Sequence, residues 1–233
     1  MKIIAGNWKL NGTLHALRHM IDALDKIDTQ NTIIICPPYT MLCTDSGRIS
    51  LGAQDISIHS NGAYTGDVSA QMVADCGATY TLVGHSECRQ YHGDTNADVR
   101  AKASHAIAAG LTPIICIGET MDEKNAGQTM TVIEQGLGEC IPDHAPRFIV
   151  AYEPRWAIGA GITPTHDEIA QTHQFIAETL TRMGFAQTPI LYGASVNAHN
   201  AADIMSIPHV DGVLVGGASL KPDDFIPIIT SVK

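Results

Sequence analysis

Phe148-Ile149-Val150-Ala151-Tyr152-Glu153-Pro154 reads as an unbroken apolar run that stops at a carboxylate followed by a proline. The run is too short for a helix and does not alternate apolar with polar, so it reads as a β-strand buried on both faces. Seven further runs share that character: Ile3–Ala5, Thr32–Cys36, Ile49–Ala53, Tyr80–Val83, Ile114–Ile117, Ile190–Tyr192 and Gly212–Val215. Segments of helical period lie between them. Leu14, Leu17, Ile21 and Leu24 step by three or four after Thr13, which suits an N-cap. Val99, Ala103, Ala106 and Ile107 form a second stripe, closed by Gly110 at the position just past a helix end. Thr163-Pro164 reads as the start of a third helix, with proline at its first position and Ile169, Ile176 and Leu180 following. The Thr40–Gly47 stretch has room for only a turn or two.

Alternating strands and helices fit a parallel α/β protein, either an open doubly wound sheet or a closed barrel. The count of eight and the chemistry of the strand ends favour the barrel. Asn7, Lys9, Gln54, His85, Glu119, Glu153, Ser195, Gly216 and Gly217 all fall at or just past a strand's last residue. A closed barrel gathers these ends on one rim, whereas an open sheet spreads them along an edge. The expected fold is therefore α/β, a single (β/α)8 barrel domain of eight parallel strands over residues 1–233.

The 233 residues carry 24 Asp+Glu against 14 Lys+Arg, a formal net charge of −10. That balance, with no basic cluster, argues against a sequence-independent binder of nucleic acid or of an anionic membrane. Any anionic ligand must be held locally, by a few lysines and oriented backbone N–H groups. The six cysteines occur singly, several of them in apolar runs where a thiol behaves as a small hydrophobe. The start, Met1-Lys2-Ile3-Ile4-Ala5-Gly6-Asn7, turns polar too early for a secretory signal, and no stretch is long and apolar enough to span a bilayer. A reducing cytoplasm is the expected address.

Among the rim residues, Glu153 at the mouth of a dry barrel is a candidate base, its pKa expected to be raised by burial. His85, in Val83-Gly84-His85-Ser86-Glu87, would be kept neutral if Ser86 and Glu87 open a helix whose N-terminus faces the ring. Lys9, beside Asn7 and Trp8, supplies the positive charge that an acidic protein needs to hold an anion. Ala157-Ile158-Gly159-Ala160-Gly161, Tyr192-Gly193-Ala194-Ser195 and Val215-Gly216-Gly217-Ala218 each follow a strand and offer bare N–H groups for a phosphate. Gly159-Ala160-Gly161 is not a dinucleotide fingerprint, since the third glycine and the acidic residue at the required offset are missing. His15 and His19 have i,i+4 spacing but no evident third ligand, so they read as a solvated face and no metal is expected.

Four separated motifs then resemble the triosephosphate isomerase family. They are Ala5-Gly6-Asn7-Trp8-Lys9-Leu10-Asn11-Gly12, Gly84-His85-Ser86-Glu87, Ala151-Tyr152-Glu153-Pro154 with Trp156-Ala157-Ile158-Gly159, and Val215-Gly216-Gly217-Ala218-Ser219-Leu220. The resemblance runs in order through nearly the whole chain. It implies a TIM barrel, a cytoplasmic homodimer, no cofactor and no metal, and interconversion of dihydroxyacetone phosphate and glyceraldehyde 3-phosphate through an enediolate. It implies that Glu153 moves the proton, that neutral His85 is the electrophile and that Lys9 steadies the oxyanion. By the same resemblance Asn7, Lys9, Gly159, Ser195, Gly216 and Gly217 bind substrate, Ser86 and Glu87 support the site, and Pro154–Gly161 closes as a lid. The 61–68 loop would enter the neighbouring subunit, with Thr65 buttressing the region of Asn7 and His85. Arg155, Ala194 and Cys88 depart from the family pattern; Cys88 replaces an arginine, leaving Asp67 one partner short and the expected dimer weaker. Two alternatives share the fold: an isomerase of a longer ketose phosphate, and a non-catalytic barrel, which would be expected to lack Glu153, His85 or Lys9.

Overall fold

The structure is a computed structural model that describes residues 1–159 and 163–232. Eight parallel strands close into a barrel in chain order, β1 pairing with both β2 and β8. They are β1 (Ile3–Asn7), β2 (Thr32–Cys36), β3 (Ser50–Ala53), β4 (Tyr80–Val83), β5 (Thr112–Ile117), β6 (Ile149–Tyr152), β7 (Ile190–Tyr192) and β8 (Gly212–Val215). The helices between them are α1 (Leu14–Leu24), α2 (Ala70–Asp75), α3 (Asn96–Ala108), α4 (Met121–Asn125), α5 (Thr129–Cys140), α6 (His166–Arg182), α7 (Ala201–Ser206) and α8 (Pro222–Thr230). After β2 there is only a single 3-10 turn, Tyr39–Met41, in keeping with the short Thr40–Gly47 stretch.

The continuous apolar runs have their reason in two separate cores. Ala5, Ile34, Cys36, Leu82, Ile114, Cys116, Ile149, Ala151, Leu191 and Leu214 fill the barrel axis. Ile4, Ile33, Ile35, Val83, Ile115, Ile117, Val150, Tyr152, Val213 and Val215 point the other way, into the layer shared with the helices. Successive residues thus alternate between two dry environments, and a polar side chain inside a strand, such as Thr81 of β4, is satisfied by a neighbouring backbone carbonyl.

Thr13 caps α1, its side chain accepting the Ala16 N–H, and Gly110 follows α3 with φ +82. The third predicted helix begins two residues later than expected. Thr165, not Thr163, is the N-cap of α6, in a capping box with Glu168, and Pro164 lies outside the helix. The local signal was real but belonged to the stronger reciprocal cap next door. A second difference concerns the thiols. Cys43 and Cys76 form a disulfide between the segment after β2 and the end of α2, while Cys36, Cys88, Cys116 and Cys140 are free. The two partners stand 33 residues apart in sequence, so spacing alone could not pair them.

His173 of α6 is wholly buried between the rings of Tyr152 and Tyr192. Its Nδ1–H donates to the His209 carbonyl at 2.9 Å, and its Nε2 has no partner among the described residues. Burial pushes the imidazole down to about 4. The unfolded chain binds a proton near the ordinary value of 6.5 and the folded chain does not, so stability is complete above that pH and drains away as pH falls toward 4. Over that window His173 should cost about 3 kcal/mol. Urea unfolding at pH 7 and pH 4.5 should show the wild-type chain losing more stability than His173→Gln; equal losses would overturn the assignment.

Candidate active site

Alternation along the strands decides which end residues reach the axis. In β6, Ile149 and Ala151 point inward, so the next inward position is Glu153, which is buried although it lies just past the strand. In β1 the inward series Ile3, Ala5 continues to Asn7. On that count His85 would face outward from β4. Gly84, at φ +70, reverses the chain before it, in a conformation that glycine adopts at little cost and at a place where a Cβ would strike Val99. His85 therefore turns into the barrel mouth.

There, His85 Nε2 lies 3.2 Å from Glu153 Oε1, and the Ser86 N–H donates to Glu153 Oε2 at 3.3 Å. The Glu87 N–H donates to His85 Nδ1 at 3.2 Å, so that nitrogen is an acceptor and the ring proton sits on Nε2, facing the carboxylate. Burial works to raise Glu153, but His85, the Ser86 N–H and Lys9 outweigh it and hold the carboxyl below its ordinary range. Burial also disfavours the imidazolium, yet the pull of Glu153 leaves His85 raised. Both directions are opposite to the sequence expectation, for one reason. Each group was expected to face an apolar or backbone environment, whereas without substrate each faces the other.

Lys9 occupies a left-handed turn at φ +53, fixed by its N–H on Asn7 Oδ1 at 2.9 Å and by Gln54 Nε2 on its carbonyl at 2.8 Å. Its ammonium is 2.8 Å from Glu87 Oε1, and both side chains remain partly exposed. Across the mouth, Ser195 is also left-handed, at φ +44, and its Oγ donates to the Ala157 carbonyl at 2.9 Å. Gly193 leaves room for the base itself, since a Cβ there would stand 3.1 Å from Glu153 Cγ.

A cavity of about 220 Å³ joins these parts, lined by Asn7, Lys9, His85, Glu153, Gly159, Ser195, Gly216 and Gly217 together with Ile158, Gly193, Ala194, Val196 and Leu214. Eight predicted site residues thus surround one small space. Ser86 and Glu87 stand behind it, on the backbone and ammonium contacts just described. Thr65 is exposed on its loop and does not line the cavity. Of the predicted lid, Pro154–Gly159 is described and contains a 3-10 turn at Arg155–Ala157, while Ala160 and Gly161 lie outside the described residues.

Glu119 was read as part of the rim, but it does not line this cavity. Its carboxylate accepts the Trp156 indole N–H at 2.7 Å and the Tyr152 hydroxyl at 3.2 Å, and its carbonyl accepts the Arg155 N–H at 3.0 Å. Burial nevertheless holds it above the ordinary carboxylate range. Lys124 lies 3.4 Å over the Trp156 ring and pairs with Glu168 at 2.8 Å. This anchor at the base of the lid was not legible in the sequence, because its members come from four separate segments. Arg89 was missed for the same reason. It donates to the Gly84 and Cys116 carbonyls at 2.8 and 3.2 Å and so braces the turn that presents His85.

Comparison with known proteins gives a consistent result. Residues 2–232 match the family described as triosephosphate isomerase. The triosephosphate isomerase of Ruegeria sp. (strain TM1040) is 47% identical over 240 residues, covering 99% of this chain and 98% of that protein. That of Rhizobium etli is 46% identical over 245 residues, covering 97% and 94%. The crystal structure of triosephosphate isomerase from Bartonella henselae superposes with a TM-score of 0.90 at 37% identity, covering 99% of this chain and 98% of that one.

The Glu119 anchor can be tested without touching the cavity. Trp156→Phe keeps the ring under Lys124 and removes only the indole donor, leaving a buried carboxylate one hydrogen bond poorer. Urea unfolding at pH 7 should show a loss of roughly 1.5 kcal/mol, the usual worth of a hydrogen bond to a charged group. No change would mean that the indole bond contributes nothing to holding the turn.

Proposed function

The chain belongs to the triosephosphate isomerase family, and we propose that Glu153, His85 and Lys9 carry the reaction for which this family is named. The enzyme interconverts dihydroxyacetone phosphate and glyceraldehyde 3-phosphate. In the proposed sequence, Glu153 leaves its contacts with Ser86 and His85 and takes a proton from the carbon beside the carbonyl. His85 Nε2–H donates to the oxygen on which negative charge develops, and the Lys9 ammonium offsets that charge. His85 Nε2 relays the hydroxyl proton from one enediolate oxygen to the other, and Glu153 returns its proton to the neighbouring carbon, so the product is an isomer with no atom gained or lost. Asn7 acts by fixing the turn that carries Lys9.

The phosphate would sit opposite, against the N–H groups of Gly159, Ser195, Gly216 and Gly217, which can approach an anion without steric hindrance from long side chains. The Pro154–Gly161 segment would close over it and exclude water from the enediolate. The single observation that carries this reading is the 220 Å³ cavity on which base, electrophile, cation and N–H groups all converge.

The chain would act as a homodimer through its 61–68 loop. Support comes from Leu10, 97% exposed, and Tyr91, 71% exposed, on the rim of a groove next to Lys9. Such large apolar side chains in water point to a covering partner. Thr65 would reach the partner's Asn7 and His85 region from the exposed loop tip. Asp67 is not short of a partner, since the Ser57 hydroxyl donates to it at 2.5 Å; the arginine replaced by Cys88 is therefore not needed to satisfy that carboxylate. Among the described residues, no helix is long and apolar enough to cross a membrane. The cytoplasm is the proposed location.

Two experiments test this. Glu153→Gln keeps the side-chain volume and removes basicity, so kcat for glyceraldehyde 3-phosphate formation should fall by at least about 100-fold while the fold persists. Near-normal turnover would sink the assignment. Leu10→Asp should move the sedimentation profile from dimer toward monomer with the circular dichroism spectrum unchanged; an unaltered profile would count against the proposed interface.

A further inference from the structure

The fold brings together three metal-binding side chains that sequence spacing does not. Asp55 lies just past β3, and Cys88 and His92 are the first and last residues of a short π-helical turn after β4. One ligand atom from each of the three lies within 4.8 Å of the others. The i,i+4 spacing of Cys88 and His92 puts both on one face of the turn, opposite Asp55. His92 is exposed and all three line a groove of about 1040 Å³, which is open to solvent ions in the single chain.

The surroundings carry an excess of negative charge. Lys102, almost wholly buried, lies 2.7 and 2.9 Å from the two oxygens of Asp55 and the same distances from those of Asp94, and shares its three N–H donors between them. One ammonium thus serves two carboxylates, and Glu87 and Asp67 line the same groove. Lys9, the other ammonium on its wall, is already paired with Glu87. Burial first, and then Asp55 and Asp94, push the Cys88 thiol up to about 12.

We propose that Asp55, Cys88 and His92 form a binding site for a thiophilic divalent cation of the zinc class. Thiolate sulfur, imidazole nitrogen and carboxylate oxygen are the donors that zinc takes in tetrahedral sites, and three protein ligands leave the fourth position to water. Magnesium and calcium would find only one oxygen ligand among the three. On binding, the cation forms a bond to Cys88 Sγ, and the thiol proton leaves to solvent. Asp55 can serve both cations, because a carboxylate has lone pairs left after accepting from Lys102.

This inference does not rest on the proposed dimer, although the ligands line the same groove, so the test is run at protein concentrations above and below dimer dissociation. Chelator-treated wild-type chain is titrated with Co2+ under non-reducing conditions. A thiolate-to-cobalt charge-transfer band should appear, saturate at one ion per chain and vanish when Zn2+ is added. Cys88→Ser should abolish the band, and His92→Gln, an exposed change, should weaken Co2+ binding at least tenfold. Absence of the band at every protein concentration would overturn the site. So would a band that survives in Cys88→Ser, or an affinity that His92→Gln leaves unchanged.

Discussion

Burial of every barrel strand on both faces is the constraint from which the rest follows. A strand with no wet side can hold a polar group only where a backbone partner satisfies it, as the Leu82 carbonyl does for Thr81, so the charged chemistry falls past the last apolar residue. Because successive side chains alternate between the axis and the helix layer, the parity of that residue fixes whether the next group enters the mouth. Glu153 and Asn7 arrive by parity. His85 arrives only because Gly84 bends the chain. A shift of one residue in any of these strands would send the group into the helix layer instead.

The mouth so formed holds its charges in pairs. Glu153 rests on His85 and the Ser86 N–H, and Lys9 rests on Glu87. Each ionic group is thus neutralised locally in the absence of ligand, which keeps a buried carboxylate from an uncompensated desolvation cost. The same pairing means that substrate must displace existing contacts rather than enter an empty field. The groups behind the site are arranged for that exchange. The Glu87 N–H keeps His85 Nδ1 as an acceptor whether or not Glu153 is present, and Gln54 holds Lys9 by its backbone, leaving its ammonium free to move.

Beside the mouth the charge is less evenly matched. Lys102 is shared between Asp55 and Asp94, and the Cys88 thiol sits next to both. This is a different economy from that of the reaction site: there each charge has one partner, here one cation serves two anions. The Cys43–Cys76 link lies on the outer layer, away from either.

The sequence by itself determined the strand count and the rim and favoured the closed barrel, because two-sided burial and polar strand ends are local patterns that survive without coordinates. It also singled out Asn7, Lys9, His85, Glu153, Ser195 and the terminal glycines, each standing next to a strand end. What it could not determine were the contacts between residues far apart in the chain. The directions of the Glu153 and His85 shifts depended on their meeting at 3.2 Å. The role of Glu119 depended on Trp156 and Tyr152, and the start of α6 on a choice between neighbouring caps. Cys88 and His92 share a helical spacing no less visible than that of His15 and His19, but their third partner, Asp55, comes from another strand. Local pattern fixes which side chains reach the rim; only closure of the barrel decides which of them touch, since charge and hydrogen bonding act over a few ångströms of space and not along the chain.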